Sequence, residues 1–264
     1  MAEKRIAVVT GGSGGIGRAT AKSLYQSGCT VYELSRRDKP QEGITHLTAD
    51  ITDEEQVKKA IGEIIAREGR IDVLVNNAGY GISGAAETTR SADAHAQLEL
   101  NLYGMDNVTR AVLPQMRKQQ GGRIICVSSI AGILPIPFQL WYSVSKSAIA
   151  SYVLALQNEV RPYGISLCAI LPGDIATGFT DARQKSADND VYGKRVERSV
   201  ATMEKDERGG MSPDKAGAYI AKIALKKRTR PLKAIGLSYK AVAVLAKLLP
   251  RGFSNYIVGL IYSK

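Results

Sequence analysis

The feature that most constrains the fold is a regular alternation of short apolar runs with longer amphipathic segments. The runs are rich in β-branched residues and read IAVVT (6–10), TVYEL (30–34), IDVLVNNAG (71–79), GRIICVSS (122–129) and GISLCAILPG (164–173). The segments between them have helical spacing. In 53–69, for example, Val57, Ile61, Ile64 and Ile65 share one face. Strand and helix repeated in this way predict an α/β fold, a doubly wound parallel sheet covered by helices.

Length and composition favour one such domain spanning 1–264. The 264 residues are 44% hydrophobic, which suffices for a sizeable core, and no linker or internal repeat divides them. The cysteines stand far apart with no CxxC pair, which predicts reduced thiols and a cytoplasmic location. The two histidines have no ligand spacing, so we expect no metal site. We also expect no signal peptide and no membrane span, since no apolar run reaches about 18 residues.

The net charge of +11 leaves more than one interpretation open. Such a charge can favour nucleic acid, an acidic membrane or an anionic cofactor. The basic residues are spread along the chain, with one cluster, KKRTRPLK (226–233), which we interpret as a solvated surface. No nucleic-acid motif accompanies it, and we expect no nucleic-acid partner. A basic nucleic-acid or membrane-binding module remains an alternative that rests on charge alone.

The segment TGGSGGIG (10–17) lies between the first apolar run and a helical pattern, GRATAKSLYQSG. Glycines at such a junction permit a tight turn, let a pyrophosphate approach the backbone and allow the helix to pack closely on the sheet. The helix N-terminus then presents free N–H groups and the positive end of its dipole to the phosphates. The segment therefore predicts a dinucleotide site in a Rossmann-type fold.

The glycine spacing, Thr10-Gly11-x-x-x-Gly15-x-Gly17, resembles that of the short-chain dehydrogenase/reductase family. Further motifs follow in family order: NNAG (76–79), Asn101, Ser129, YSVSK (142–146), and PG (172–173) with Thr177. The resemblance covers residues 5–180 closely and the rest loosely. It implies a single-domain NAD(P)-dependent oxidoreductase that transfers hydride between the cofactor and a ketone or secondary alcohol.

The predicted catalytic residues are Asn101, Ser129, Tyr142 and Lys146. Tyr142 and Lys146 stand four apart, hence on one helix face, and no other of the twelve tyrosines has a lysine at that offset. A nearby ammonium is expected to lower the phenol pKa from about 10. The family implies that Tyr142 gives or takes the proton, Ser129 orients the substrate oxygen, Lys146 holds the nicotinamide ribose and Asn101 supports a water-linked proton path. The offset of thirteen residues from Tyr142 favours Ser129 over its neighbour Ser128.

The resemblance also implies a set of cofactor-binding residues along the strand ends. These are Gly11, Ser13, Gly15, Ile16, Gly17, Ser35, Arg36, Arg37, Asp50, Ile51, Asn77, Ala78, Gly79, Tyr142, Lys146, Pro172, Gly173, Ile175 and Thr177. Asp50 and Ile51 fall at the family's adenine pocket. The family's acidic, NAD-selecting position falls on Ser35, followed by Arg36 as the partner for a 2′-phosphate and Arg37 as a second candidate. The sequence thus favours NADP(H) over NAD(H), unless the second strand ends two residues earlier and Glu33 binds an NAD ribose.

An apolar segment, IAGILPIPFQLW (130–141), separates Ser129 from Tyr142. With Tyr80–Ile82 and 173–179 it predicts a site walled for a lipophilic ketone or alcohol, of the steroid, retinoid or fatty-ketone kind. The same face could instead pack on a partner subunit. Residues 178–212 are polar and punctuated by glycine, which predicts a mobile lid with a short helix or two. The overall pattern is closest to the hydroxysteroid- and retinol-dehydrogenase-like branch.

An extension at 239–264 departs from the commonest family ending. It could cap the site, pack between subunits, or lie on a membrane surface as a basic amphipathic helix. We expect a homo-oligomer, with a dimer through the helices carrying Asn101 and Tyr142 favoured over a tetramer. A non-catalytic NADP-binding sensor is the main alternative function, although such proteins usually lose the tyrosine–lysine pair. A family isomerase or dehydratase is a further alternative, disfavoured by the glycine spacing.

Overall fold

The computed structural model describes residues 4–186, 190–226 and 228–263. Its strands are β1 (Ile6–Thr10), β2 (Thr30–Ser35), β3 (Ile44–Thr48), β4 (Val73–Asn76), β5 (Ile82–Ser83), β6 (Gly122–Val127), β7 (Ile165–Leu171), β8 (Gln184–Lys185) and β9 (Leu232–Ala234). Seven of them form one parallel sheet in the order β3-β2-β1-β4-β6-β7-β9, while β5 and β8 form a separate parallel pair. The predicted doubly wound parallel sheet is confirmed.

Helices cover both faces of the sheet. They are α1 (Gly15–Gln26), α2 (Glu54–Glu68), α3 (Ser91–Leu98), α4 (Met105–Lys118), α5 (Leu140–Val160), α6 (Arg195–Arg208), α7 (Pro213–Ala224), α8 (Leu237–Leu248) and α9 (Arg251–Tyr262). One core cluster joins α2, α4 and α5 to the sheet, and a second joins α1 and α7 to its other side. This arrangement follows from strands whose side chains are buried on both faces, as in β1 and β4.

Helix α2 shows how closely local sequence signals set an element. The Asp53 carboxylate caps its N-terminus by accepting from two backbone N–H groups, and Gly69 ends it in the left-handed region with φ of 71°. Val57, Ile61 and Ile64 are buried against the sheet, whereas Ile65 is only partly buried. The predicted apolar face is therefore present.

The strand order indicates where a ligand can bind, at the carboxyl ends of β1 and β4. Chain order reverses between β1 and its neighbour β4, and ligands of open α/β sheets bind at the carboxyl ends of strands at such a point. The glycine loop follows β1, and Asn77–Gly79 follows β4. Both predicted cofactor segments thus lie at the same edge.

The chain beyond β7 covers this edge. Within the predicted lid, 178–212, β8 pairs with β5 and α6 packs through Val196 and Val200 on Ala85. Residues 187–189 of the lid and Lys227 of the basic cluster lie outside the described residues. The extension contributes α8, which packs beside β9, and α9, which packs on α6. Among the described residues, no helix is both long and apolar enough to cross a membrane.

Candidate active site

Tyr142 and Ser129 meet where α5 begins and β6 has just ended. Tyr142 lies in the first turn of α5, and Ser129 lies two residues beyond β6 and caps a short 3₁₀ turn by accepting from the Ala131 N–H at 3.1 Å. The Ser129 side chain lies close enough to the Tyr142 phenol to lower its pKa. The neighbouring Ser128 is buried and donates to the Lys146 carbonyl oxygen at 2.6 Å instead. Of the two serines, Ser129 therefore contacts the tyrosine.

The protonation state of Tyr142 differs from the expectation. Burial, with the charges of Glu207 and Asp174, raises the pKa of Tyr142 to about 12, against lowering by the Ser129 side chain and by Arg183. The prediction that Lys146 lowers this pKa is not met. The Lys146 Nζ lies 5.7 Å from the phenol ring centroid and donates to the Val127 carbonyl oxygen at 2.8 Å. Burial in turn lowers the pKa of Lys146 to about 8.

Asn101 lies in a π-helical turn, Glu99–Gly104, between α3 and α4. Its side chain is buried, and both amide atoms form hydrogen bonds. The Asn101 Nδ2 donates to the Tyr80 carbonyl oxygen and to Ser145 Oγ, and its Oδ1 accepts from the Tyr80 N–H, each at 3.0 Å. The residue therefore ties the loop after β4 to α5 below Tyr142. Its part in a water-linked proton path stays a prediction.

The glycine loop and the loop after β4 are fastened to each other. The Asn77 side chain donates to the carbonyl oxygens of Thr10 and Gly11 at 3.1 and 3.3 Å, and the Ala78 N–H donates to Thr10 Oγ1 at 3.1 Å. Gly11 has a φ of 66°, and a Cβ there would lie only 2.9 Å from the Ala78 Cα. A Cβ at Gly17 would collide with the Gly11 carbonyl oxygen and the Asn77 amide. Glycine is thus required where these two backbones approach.

The first turn of α1 is exposed beside this loop and fits a phosphate. Its N-cap residue is Gly14, which has no side chain to cap the first N–H groups, and a Cβ there would meet no described atom within 4 Å. Free N–H groups at a helix N-terminus suit anionic oxygens. Ser13 and Ile16 lie on either side of this turn and are half-buried. Gly15 faces Thr177, and a Cβ added to Gly15 would lie 3.5 Å from the Thr177 Cβ. The residues present fit a dinucleotide.

The end of β2 separates the two cofactor hypotheses. This strand runs to Ser35, so Glu33 lies inside the sheet, only 1% exposed, where it contacts His46 and accepts from Ser35 Oγ at 3.2 Å. The premise of the NAD alternative, a strand that ends at Glu33, is therefore wrong. Arg36 is exposed just beyond the strand, 3.7 Å from the Asp50 carboxylate, and Arg37 is exposed next to it.

The predicted adenine residues form a tight turn after β3. The Asp50 carboxylate accepts from the Thr52 N–H at 3.0 Å and from its hydroxyl at 2.8 Å. Ile51 is buried against the π-helical turn, where a Cβ on Gly104 would lie 2.8 Å from it. One carboxylate oxygen of Asp50 therefore accepts from Thr52, and the other lies near Arg36.

The predicted residues after β7 lie beneath the C-terminal extension. The Pro172 carbonyl oxygen accepts from the Ile130 N–H at 2.9 Å, and a Cβ on Gly173 would collide with the ring of Tyr239 in α8. Ile175 is buried and bridges to Met211. Thr177 accepts from the Phe179 N–H at 3.2 Å. Sequence reasoning missed Tyr239, because no motif links it to residues so far upstream.

One aromatic ring and one buried ion pair lie close to Tyr142. The ring of Phe179 lies 5.7 Å from that of Tyr142 between centroids, and a Cβ on Gly81 would be 2.9 Å from Phe179. The buried Arg183 guanidinium lies 5.8 Å from the Phe179 ring and is paired with Glu207 of α6. That pair, which has no signal in the sequence, joins two parts of the lid segment to each other beside the Phe179 ring.

The apolar segment 130–141 is partly covered by the chain itself. Ile130, Ile133 and Leu134 pack with Tyr239 and Val242 of α8. The extension thus occupies part of the surface that could have been assigned to a partner subunit. Among the described residues, no group of three or more His, Cys, Asp or Glu side chains could hold a metal ion.

Proteins of known family match most of this chain. The short chain dehydrogenase family matches residues 5–188. A 3-ketodihydrosphingosine reductase of Bacteroides thetaiotaomicron is 40% identical over 268 residues, covering 99% of each chain. An NADPH-dependent 1-acyldihydroxyacetone phosphate reductase of Saccharomyces cerevisiae is 32% identical over 230 residues, covering 82% of this chain and 76% of the yeast protein.

Solved structures agree with the sequence matches. A short-chain dehydrogenase from Streptomyces avermitilis superposes with a TM-score of 0.83 at 30% identity, covering 94% of this chain and 96% of that one. ElxO with NADP bound superposes with a TM-score of 0.76 at 25% identity, covering 90% and 99%. The chain therefore belongs to the short-chain dehydrogenase/reductase family of NAD(P)-dependent oxidoreductases.

Proposed function

We propose that this protein is an NADPH-dependent reductase of a lipophilic ketone, with a long-chain 3-keto lipid as its substrate class. The observation that carries the reaction type is the Tyr142 phenol, which has Ser129 and Phe179 beside it, together with a glycine loop that fits a dinucleotide. A carbonyl that accepts hydride develops negative charge on oxygen, which needs a proton and hydrogen-bond donors. Tyr142 and Ser129 are placed together to supply both.

The bound nicotinamide supplies the hydride, and the protein supplies the proton. With a pKa near 12, Tyr142 is protonated at neutral pH and is a proton donor rather than a base. Ser129 orients the substrate oxygen toward that hydroxyl. Once Tyr142 has given up its proton, the phenolate needs a nearby positive charge, and Lys146 is protonated below about pH 8. Each of the three side chains thus has a distinct task.

Preference for NADPH is supported by the charges beyond β2. The 2′-phosphate that distinguishes NADP from NAD is a dianion, and a guanidinium binds phosphate through a planar fork of donors. Arg36 is exposed there with Arg37 next to it, while Ser35 holds no negative charge that would repel a phosphate. The name of the yeast relative includes NADPH, which agrees with this assignment.

The substrate class is supported by the walls of the site and by two relatives. Phe179 and the backbone at Gly81 flank Tyr142, which suits an aliphatic chain better than a polyol. The two relatives reported above are named for ketones on long-chain lipids. Among the steroid, retinoid and fatty-ketone classes expected from the sequence, these names favour the fatty ketone.

Turnover assays test the proposal. Purified protein should oxidise NADPH in the presence of 3-ketodihydrosphingosine, and slowly or not at all with a steroid ketone or a ketose. Tyr142→Phe should remove turnover without removing NADPH binding. If NADPH binds but none of a broad panel of ketones is reduced, the protein is an NADP-binding sensor and not a reductase.

A further inference from the structure

Helix α9 turns its apolar stripe away from the protein. Five large side chains at the spacing i, i+3, i+4, i+7 and i+8 share one face of the helix. They are Phe253, Tyr256, Ile257, Leu260 and Ile261, with exposed fractions of 51, 64, 37, 42 and 55%. The residues that α9 buries are instead Ser254 and Val258. A helix folded for its own core would have the opposite orientation.

Helix α8 presents a second such face just before it. Leu237, Val244, Leu245 and Leu248 are 85, 56, 52 and 75% exposed, while the other side of the helix packs on the site through Tyr239. We call these four residues, with the five of α9, the outer tail face. Isolated exposed apolar residues are ordinary, but a set concentrated on two successive helices indicates a binding surface.

The chain from residue 215 onward, which includes both tail helices, also carries the whole net charge of the protein. Residues 215–264 contain eleven Lys and Arg and no Asp or Glu, whereas residues 1–214 contain 25 of each sign. On the tail helices, Lys240, Lys247 and Arg251 are exposed near the outer tail face. A partner of the outer tail face must therefore accept both apolar side chains and positive charge.

We propose that the outer tail face docks the protein on an anionic lipid bilayer, with α8 and α9 lying in the interface. Amphipathic helices with aromatic and aliphatic side chains on one face and Lys or Arg beside them bind such surfaces, and each basic residue near the surface adds to the attraction. A second copy of the tail would bring two acid-free, basic segments together, which electrostatic repulsion opposes. A nucleic acid would satisfy the charge but leave the apolar stripe exposed.

Hydrogen bonds hold the inner side of the tail against the site. The Tyr239 hydroxyl donates to Asp174, directly after the PG motif, and the Tyr262 hydroxyl donates to Asp206 of α6 at 3.4 Å. The docking surface and the covered site thus belong to the same pair of helices. Docking requires no particular substrate, so vesicle binding tests it separately from the reductase activity.

Sedimentation of the full chain with vesicles is the direct test. The protein should bind phosphatidylcholine vesicles that contain phosphatidylglycerol, and bind pure phosphatidylcholine much more weakly. Leu248→Ser should weaken binding roughly fiftyfold, since it removes about three buried carbons from the bilayer. Val191→Ser is the matched control, because Val191 is 74% exposed on the lid and Leu248 is 75% exposed. Docking is refuted if neither vesicle binds, or if both substitutions weaken binding equally.

A charge series completes the test. Lys247→Gln with Arg251→Gln should weaken binding to the anionic vesicles by about tenfold or more, while Arg117→Gln with Lys118→Gln on α4 should change it little. Thermal unfolding and activity on a short, water-soluble ketone should be unchanged in all four proteins. If Leu248→Ser instead converts a dimer to a monomer in size-exclusion chromatography and vesicles are not bound, the outer tail face is a subunit interface and the proposal is wrong.

Discussion

The guanidinium beyond β2 should decide which nicotinamide nucleotide the protein binds, and Arg36→Ala tests this. The Arg36 side chain is 71% exposed, and its nearest acidic partner, Asp50, is 3.7 Å away, so the variant disturbs little of the fold. A charge-assisted hydrogen bond contributes about 1.5–3 kcal/mol. Solvent screening at so exposed a site reduces this to about 1–2 kcal/mol. NADPH affinity should therefore fall roughly five- to thirtyfold, since about 1.4 kcal/mol is tenfold.

NADH lacks the 2′-phosphate, so its affinity for Arg36→Ala should stay within about twofold of the wild-type value. Fluorescence titration of both nucleotides into wild type and variant measures the four dissociation constants. Arg117→Ala, at an exposed position on α4, is the control for general loss of positive charge. Ser35→Asp should disfavour NADPH by repelling the phosphate. An equal loss of NADH and NADPH would refute the reasoning, because Arg36 would then act on a feature common to both.

Three further predictions concern the reacting centre. Tyr142→Phe should lower kcat at least about a hundredfold, because it removes the proton donor, with the NADPH dissociation constant unchanged; more residual activity in a steady-state assay would exclude Tyr142 as the acid. Lys146 loses its proton as pH rises through about 8, so NADPH should bind more weakly to the wild type above that pH. Lys146→Met has no ammonium to lose, so titrations of NADPH at several pH values should show no such change in this variant. Gly81→Val should crowd Phe179, and raise KM for a long-chain ketone more than for a short one, without affecting NADPH binding.

The elements that build the site could be predicted from local sequence. The first apolar run coincides with β1, and the glycines that follow it stand where backbones meet, as at Gly11 and Gly17. Such positions are predictable because a strand buried on both faces and a loop with no room for side chains leave clear patterns. The end of β2 was harder to predict. Glu33 is polar yet fully buried in the strand, and polarity alone suggests an earlier end.

Features made by distant residues could not be predicted. Arg183 and Glu207 look like ordinary surface charges in a polar segment, yet the Arg183 guanidinium is buried and paired with the Glu207 carboxylate of α6. Tyr239 stands in an extension without a motif and still covers Gly173. Burial and pairing of this kind depend on which segments the fold brings together. The protonation of Tyr142 belongs to the same class, because its largest cause is burial in the folded protein.

The lid segment therefore does more than cover the site. Phe179 and Glu207 belong to the segment 178–212, and both burial and the Glu207 charge raise the pKa of Tyr142, while Arg183 of the same segment lowers it. A phenol held in its protonated form can transfer its proton only to a stronger base, and an oxygen that has just accepted hydride is such a base. Covering the site thus keeps the proton on Tyr142 until the substrate oxygen becomes negative. In the oxidising direction the same burial opposes Tyr142 as a base, and the positive charge of Lys146 must offset it.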